Sequence, residues 1–289
     1  MRVLILGGTG MLGHKLYQHL DDAFVTVRTE PRDLQKFGFY CPDQIVTGVQ
    51  ATDLGSVDRA IDRVAPDAVV NCIGVVKQHP LAGDPAACKA INAEFPHLAA
   101  RACHERGVRF VHVSTDCVFD GKKGNYSEHD APNATDLYGR TKAQGEVTEK
   151  ALTLRTSIVG REILSGAGFV EWFLSNRGGS VKGFTNAVFS GVTTQELSRV
   201  IADVLHDHPT LSGLYHVASR PIDKCSLAKL LNERFETKTA IEPDGALRLD
   251  RSLDGASFHE RTGYVAPEWT AMVAEMASDP TPYDNWKTQ

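Results

Sequence analysis

The chain has 289 residues, 42% hydrophobic and 23% charged, with a formal net charge of −5. That is the composition of an ordinary globular protein with a substantial core, and the negative balance argues against a general nucleic-acid surface. No apolar run approaches the roughly 20 residues that span a bilayer, so no membrane partner is expected.

Met1-Arg2 leads directly into Val3-Leu4-Ile5-Leu6-Gly7-Gly8, too short an apolar stretch for a secretory segment, and a cytoplasmic protein is expected. Arg2 to Leu6 reads as a buried parallel strand, and Met11 to Leu20 as the helix after it. Between them the glycines are spaced GxxGxxG. Gly7 permits a tight turn, Gly10 lets backbone N–H groups approach a pyrophosphate, and Gly13 lets the helix pack closely. The plain alternative is a glycine-rich turn with no ligand. Coming straight after a strand and before a helix, the pattern points to dinucleotide binding.

Phe24 to Arg28 reads as the second strand. An acid at its end would accept from the 2′-OH of NAD, and an arginine would accommodate the 2′-phosphate of NADP. Arg28 and Arg32 favour NADP(H), Glu30 keeps NAD as the lesser reading, and both arginines could instead be solvated loop charges. Gln44 to Thr47 is a third short strand. Asp53-Leu54 precedes the helical Val57 to Val64, where Asp53 could cap the helix or accept from the adenine amino group. Ala68 to Cys72 is the fourth strand, leaving through Asn71-Cys72-Ile73-Gly74. Pro85 to Arg106 reads as a helix that Pro96 kinks near Asn92; Asn92 is expected to bond a backbone group inside the fold rather than face solvent.

Arg109 to Ser114 is the fifth strand, with Thr115 at its carboxyl end, where open parallel sheets meet their ligands. A polar, turn-rich loop runs from Asp120 to Asn133. If Asp136 to Glu149 is a helix, Tyr138 and Lys142 share one face a turn apart. A cation beside a phenol favours the phenolate, and such a pair can exchange a proton with a carbonyl or alcohol oxygen that Thr115 also binds. A surface Tyr-Lys pair is the bland alternative. Ala151 to Arg155 completes six strands alternating with helices, a doubly wound α/β sheet.

Residues 1–160 therefore read as a nucleotide-binding domain, and 161–289 mainly as a small substrate-binding lobe with some segments returning to the sheet. In the second half Phe169 to Ser175, Thr194 to His206, Ser226 to Phe235 and Trp269 to Ala277 are helical, Gly213 to Ala218 is strand-like, and a loose polar tail follows. Trp172, Phe173, Phe184 and Phe189 could stack on a base or sugar, but core packing is the preferred reading. Six scattered cysteines without a CxxC pair suggest reduced thiols, and eleven histidines without HExxH announce no metal site. Glu128 and Asp130 could serve a subunit contact or a cation, or neither. A homodimer is compatible with all of this.

With Gly7xxGly10xxGly13, Thr115 and Tyr138xxxLys142 in this order, the chain resembles the extended short-chain dehydrogenase/reductases. The stretches Ser114-Thr115-Asp116-Cys117-Val118-Phe119-Asp120-Gly121, Tyr126-Ser127-Glu128, Tyr138 through Glu146, and Leu154-Arg155-Thr156-Ser157 look closest to the dTDP-4-dehydrorhamnose reductase branch. The resemblance is specific over residues 1–160. It implies a Rossmann-like fold and NADPH-dependent reduction of a 4-keto group on a nucleotide-activated 6-deoxy sugar, for deoxysugar or surface polysaccharide synthesis, with NADH the less favoured cofactor.

By the same resemblance Thr115, Tyr138 and Lys142 are the catalytic set. Gly7, Thr9, Gly10, Met11, Leu12, Gly13, Arg28, Arg32, Asp53, Leu54, Cys72, Ile73, Gly74 and Asn92 join Tyr138 and Lys142 around the cofactor. Val75, Lys77, Asp116, Cys117, Phe119, Arg155 and Ile158 join Thr115 around the sugar nucleotide. Cys117 stands where the branch usually has Tyr, and Ile158 where it has an aromatic, so the sugar or nucleotide could differ; a UDP-linked, N-acetylated 6-deoxy sugar is one alternative. Cys117 also stands where dehydratases of the superfamily carry Glu, which argues against elimination. An epimerase with tightly held NAD and a non-catalytic regulatory subunit of methionine adenosyltransferase are the competing roles.

Overall fold

In the computed structural model, which describes residues 1–28, 30–164 and 166–286, the chain is built on one parallel sheet. Its strands are β1 (Val3–Leu6), β2 (Ala23–Thr26), β3 (Ile45–Val46), β4 (Ala68–Asn71), β5 (Arg109–Thr115), β6 (Leu152–Thr156) and, from the second half, β11 (Gly213–His216). They lie in the order β11-β6-β5-β4-β1-β2-β3, every pair parallel. Side chains alternate between two covered faces, which is why β1 is apolar at every position. Val3 and Ile5 of β1 pack on one face with Leu16, Val70, Val111 and Ile201. Leu4 and Leu6 pack on the other with Val57, Ile61, Val69, Phe95 and Phe110. Helix α1 (Gly13–His19) and α7 (Thr194–Asp207) cover the first face, and α2 (Leu54–Val64) and α4 (Phe95–Glu105) the second.

The expected 85–106 helix is interrupted as its sequence suggests. Helix α3 (Pro85–Cys88) passes through a π-helical stretch, Lys89–Glu94, into α4. Pro96 has no N–H to donate to the Asn92 carbonyl, and the helix widens there. The helix expected over 136–149 is shorter: α5 spans Leu137–Gln144. A Cβ on Gly145 would stand 1.9 Å from the Asn92 carbonyl oxygen, so the chain passes hard against the widened helix and turns away.

The second half adds β7 (Ile158–Val159), α6 (Phe169–Ser175), β8 (Ser180–Phe184), β9 (Ala187–Phe189) and β10 (Val192–Thr193) before α7. After β11 come β12 (Ile222–Asp223), α8 (Lys224–Arg234), β13 (Ala240–Asp244), β14 (Leu249–Asp250), α9 (Ala256–Thr262) and α10 (Trp269–Ala277). These strands form the small sheets β12-β9-β14, β13-β8 and β10-β7. Of the four aromatics, Phe173 and Phe189 are core, Phe184 is half-buried and Trp172 is exposed. The tail expected to be loose is anchored up to Trp286: Lys15 pairs with Asp279 at 2.5 Å, and the buried Tyr283 hydroxyl meets Nε2 of the buried His14 at 2.9 Å. Residues 287–289 of that tail lie outside the described residues. No helix among the described residues is long and apolar enough to cross a membrane.

Candidate active site

The chain reverses direction across the sheet between β1 and β4, and the carboxyl ends of those strands open a crevice there. Gly7 has φ +86°. A Cβ on Gly13 would lie 2.2 Å from the Gly7 carbonyl oxygen, whereas one on Gly10 would meet only that oxygen, at 3.4 Å. Gly10 is thus open on its outer side, as close approach of a diphosphate requires. Gly8, outside the expected spacing, is fixed by packing: its Cβ would fall 2.4 Å from Val25 Cβ. Thr9 and Met11 are half-buried on the turn, Leu12 is in the core, and Cys72 and Ile73 line the turn beneath Gly7. Arg28 and Arg32 are exposed beyond β2 and form no ion pair among the described residues. Asp53 precedes α2 without capping it through its side chain; its exposed carboxylate faces Arg59 at 3.5 Å, with Leu54 half-buried beside it.

Asn92, buried in the π-helical stretch, accepts from the Val75 N–H at 2.8 Å and donates to the Val75 carbonyl at 2.9 Å. This pins the exit of β4, including Gly74. Asn92 acts here as a backbone clamp, the expected in-fold bond.

Thr115 ends β5, its hydroxyl accepting from Cys117 N–H and donating to Asp116 at 3.2 Å. Asp136 caps α5 through Gly139 N–H at 2.8 Å. A Cβ on Gly139 would stand 2.2 Å from the Cys117 carbonyl oxygen, so glycine after Tyr138 lets the helix start against the 116–118 turn. That contact brings Tyr138 beside Thr115. Burial pushes the Tyr138 phenol above its usual range, Cys117 adds to this, and Thr115 opposes it. The phenol thus moves in the direction opposite to the lowering expected from the Tyr-Lys spacing.

Lys142, 5% exposed, donates to the Val113 carbonyl at 2.9 Å and meets His112 Nε2 at 3.4 Å. Burial pushes it down to about 8, against the pull of Glu146 and Cys72. Cys72 and Cys117 are both pushed up to about 12 by burial. Lys77 pairs with Asp136 at 2.8 Å and lies 5.7 Å from the centre of the Tyr138 ring.

Two expected substrate residues are elsewhere. Arg155, 2% exposed, is clamped by Glu146 at 2.6 and 2.9 Å, donates to His216 Nε2 at 2.8 Å, and lies over the Phe119 ring. Phe119 is wholly buried and stacked on Tyr126. Both are interior struts with no face to offer a ligand. Ile158 is half-buried in β7. Glu128 accepts from the His216 backbone N–H, and Asp130 holds Lys123; no group of three or more His, Cys, Asp or Glu among the described residues could hold a metal.

Sequence reasoning missed two cations. Arg251 donates to the Phe119 carbonyl at 2.8 Å and to Cys117 Sγ at 3.5 Å, and its charge and that of Lys224 both act on the buried Asp116. They lie over a hundred residues beyond Thr115, on segments with no motif, and only the fold brings them there.

A glycine turn at the switch point of a parallel sheet, with Tyr138 half-buried beside Thr115 and Lys142 buried one turn along the same helix, defines a Rossmann-like nucleotide-binding α/β protein. A family model described as the RmlD substrate binding domain matches residues 1–281, and the chain belongs to that family. It is 30% identical over 231 residues to a probable low-salt glycan biosynthesis reductase of Haloferax volcanii, covering 76% of this chain and 75% of that one. It is 30% identical over 230 residues to a probable dTDP-4,6-dihydroxy-2-methyloxan-3-one 4-ketoreductase of Streptomyces antibioticus, covering 76% and 72%. A methionine adenosyltransferase 2 subunit beta of Danio rerio is 31% identical over 151 residues, 50% of this chain and only 42% of that protein. Among solved structures, a hypothetical dTDP-4-dehydrorhamnose reductase from Sulfolobus tokodaii superposes with a TM-score of 0.76 at 25% identity, covering 93% of this chain and 98% of that one.

Proposed function

We propose that this protein is an oxidoreductase that uses NADPH to reduce the 4-keto group of a nucleotide-activated 4-keto-6-deoxy sugar, in glycan or deoxysugar synthesis. The observation that carries this reading is Tyr138 beside Thr115, with Lys142 one turn along the same helix and its charge acting on Cys72 under the open glycine turn. The residues fit the cofactor: Gly10 leaves room for a diphosphate, Arg28 and Arg32 suit a 2′-phosphate, and Lys142 suits the nicotinamide ribose. NADPH, when bound, supplies the hydride.

The chain's own groups handle the oxygen. Tyr138 gives its proton to the carbonyl oxygen as negative charge develops there, and a phenol held protonated by burial suits a donor. The Thr115 hydroxyl turns from Asp116 to the same oxygen as the second donor. Arg251 and Lys224 face the substrate diphosphate, while residues 158–193 and 218–260 furnish most of the sugar-nucleotide lobe. Six free thiols suit a reducing, cytoplasmic setting, and a homodimer fits the reading equally well.

The test is NADPH oxidation against dTDP-, UDP-, GDP- and CDP-linked 4-keto-6-deoxy sugars made in place by their dehydratases. Consumption with one nucleotide class supports the reading and names the substrate family. Silence across the panel with NADPH binding intact refutes it in favour of an epimerase or a binding subunit like the Danio rerio relative.

A further inference from the structure

We infer that Asn71 and His112 form a buried tautomer lock that aims a ring N–H at Lys142, making His112 a positioning residue for the cofactor-facing end of the catalytic pair. The inference follows from hydrogen-bond bookkeeping along a chain of three side chains. Asn71, at the end of β4 and wholly buried, accepts the Ile73 N–H through Oδ1 at 3.0 Å. Its NH2 is thereby turned to His112 Nδ1, 3.1 Å away on the adjoining strand.

An amide NH2 can only donate, so Nδ1 must be the lone-pair nitrogen and the ring proton sits on Nε2. His112 is also wholly buried, and Lys142 adds its charge to the burial that keeps the ring neutral. Nε2 faces Lys142 Nζ at 3.4 Å. An Nε2–H can donate to the lone pair of a neutral amine, whereas to an ammonium it presents donor against donor. The contact therefore favours the amine.

The groups around Nζ support the same sense. Just after β4, Cys72 is held as a thiol by burial. On α5, Glu146 is committed to Arg155 and Ser114. Tyr138 on the same helix is held protonated, and His97 from α4 acts on the His112 ring. Among the described residues the ammonium has one direct acceptor, the Val113 carbonyl, for its three protons. The depressed Lys142, at about 8, agrees with this account.

The ammonium is then completed by acceptors that come from outside, such as the hydroxyls of a bound ribose. Cofactor binding above about pH 8 should take up a proton. This step rests on the reading of the crevice as an NADPH site; the tautomer does not.

Two measurements separate the two claims. Long-range 1H–15N correlation on the 15N-histidine protein without ligand, with the His112 signals assigned by their loss in His112→Phe, should find the His112 proton on Nε2 from pH 5 to 9. A proton on Nδ1, or an imidazolium near pH 6, overturns the lock whatever the protein's function. Calorimetry of NADPH binding at pH 9, in buffers of different ionisation heat, should show proton uptake. In Asn71→Asp the carboxylate accepts from both Ile73 N–H and Nδ1–H, so the Nε2 lone pair turns to Lys142. Uptake should then move up by about one pH unit or more, and fall by about half or more at pH 9. Unchanged uptake in that variant overturns the coupling, while absence of NADPH binding overturns the functional reading and leaves the tautomer result standing.

Discussion

Glu146→Leu should be among the most damaging single changes outside the crevice, although Glu146 lies one turn from Lys142 and resembles a catalytic acid. Its carboxylate takes two hydrogen bonds from Arg155, at 2.6 and 2.9 Å, and one from Ser114 at 2.6 Å. Side-chain exposure is 2% for Arg155 and 7% for Glu146. Removing the acid leaves a guanidinium in the interior with His216 Nε2 as its remaining acceptor and strips the Ser114 hydroxyl of its partner. Breaking one side of a buried pair costs about 3–5 kcal/mol, which for a chain of this size lowers Tm by roughly 10 °C. The double variant Glu146→Leu/Arg155→Met removes both charges together and should recover at least half of that loss, because an apolar pair of similar volume carries no stranded charge. Thermal unfolding of the parent and the two variants gives the stabilities; NADPH oxidation with varied sugar nucleotide gives KM for Arg155→Met. A Tm for Glu146→Leu within about 2 °C of the parent refutes the strut. So does an Arg155→Met protein with unchanged Tm and a KM raised tenfold, which would return Arg155 to the substrate.

Tyr138→Phe should keep NADPH affinity within a few fold, by fluorescence titration, while turnover falls by roughly 10²-fold or more; retained turnover removes Tyr138 from the proton step. Arg28→Ala/Arg32→Ala should weaken NADPH at least tenfold and leave NADH nearly unchanged, and an equal loss for both cofactors would deny the 2′-phosphate contact. The pH dependence of stability should be set in part by two buried histidines: His14 is pushed down to about 4 and His216 to about 3, chiefly by burial. The unfolded chain takes up these protons below about pH 6.5 and the folded chain does not, so the stability they contribute is complete above 6.5 and falls as pH drops towards 4. The loss by pH 5 is about 4 kcal/mol, or roughly 10 °C in Tm; a flat Tm between pH 7 and 5 would contradict the buried neutral rings.

The sheet and the turn were legible because their causes are local. Val3 to Leu6 must be buried on both faces to be apolar at every position, and Gly7, Gly10 and Gly13 answer to contacts within the turn itself. The kink at Asn92 follows from a single proline. Errors arise where a residue answers to something far along the chain. The helix expected to run to Glu149 stops at Gln144 because Gly145 abuts the Asn92 carbonyl, 53 residues earlier in sequence. Arg155 looks like a ligand residue at a strand's end until His216, 61 residues on, is folded against it. The tail looks polar and loose, yet its Asp279 and Tyr283 meet Lys15 and His14 on the helix after the glycine turn.

The same distinction runs through the site. Spacing within one helix turn is enough to pair Tyr138 with Lys142, but it says nothing of which of them carries a proton. That is decided by what is packed against each, and the two are packed differently. Tyr138 is enclosed beside Cys117, Asp116 and Asp136, all of which resist a negative phenolate, so it is held as a donor. Lys142 is held by burial and by a ring N–H, both of which resist a full ammonium, with one carbonyl near it to accept. Both shifts bring the two groups towards their neutral forms. On the proposed reading a cofactor ribose and a developing alkoxide would reverse both preferences at once, offering acceptors to Nζ and a base to the phenol. The charged arrangement is then favoured only when cofactor and ketone are both in place, and that selectivity is a property of the packing around β4, β5 and α5 rather than of the motif.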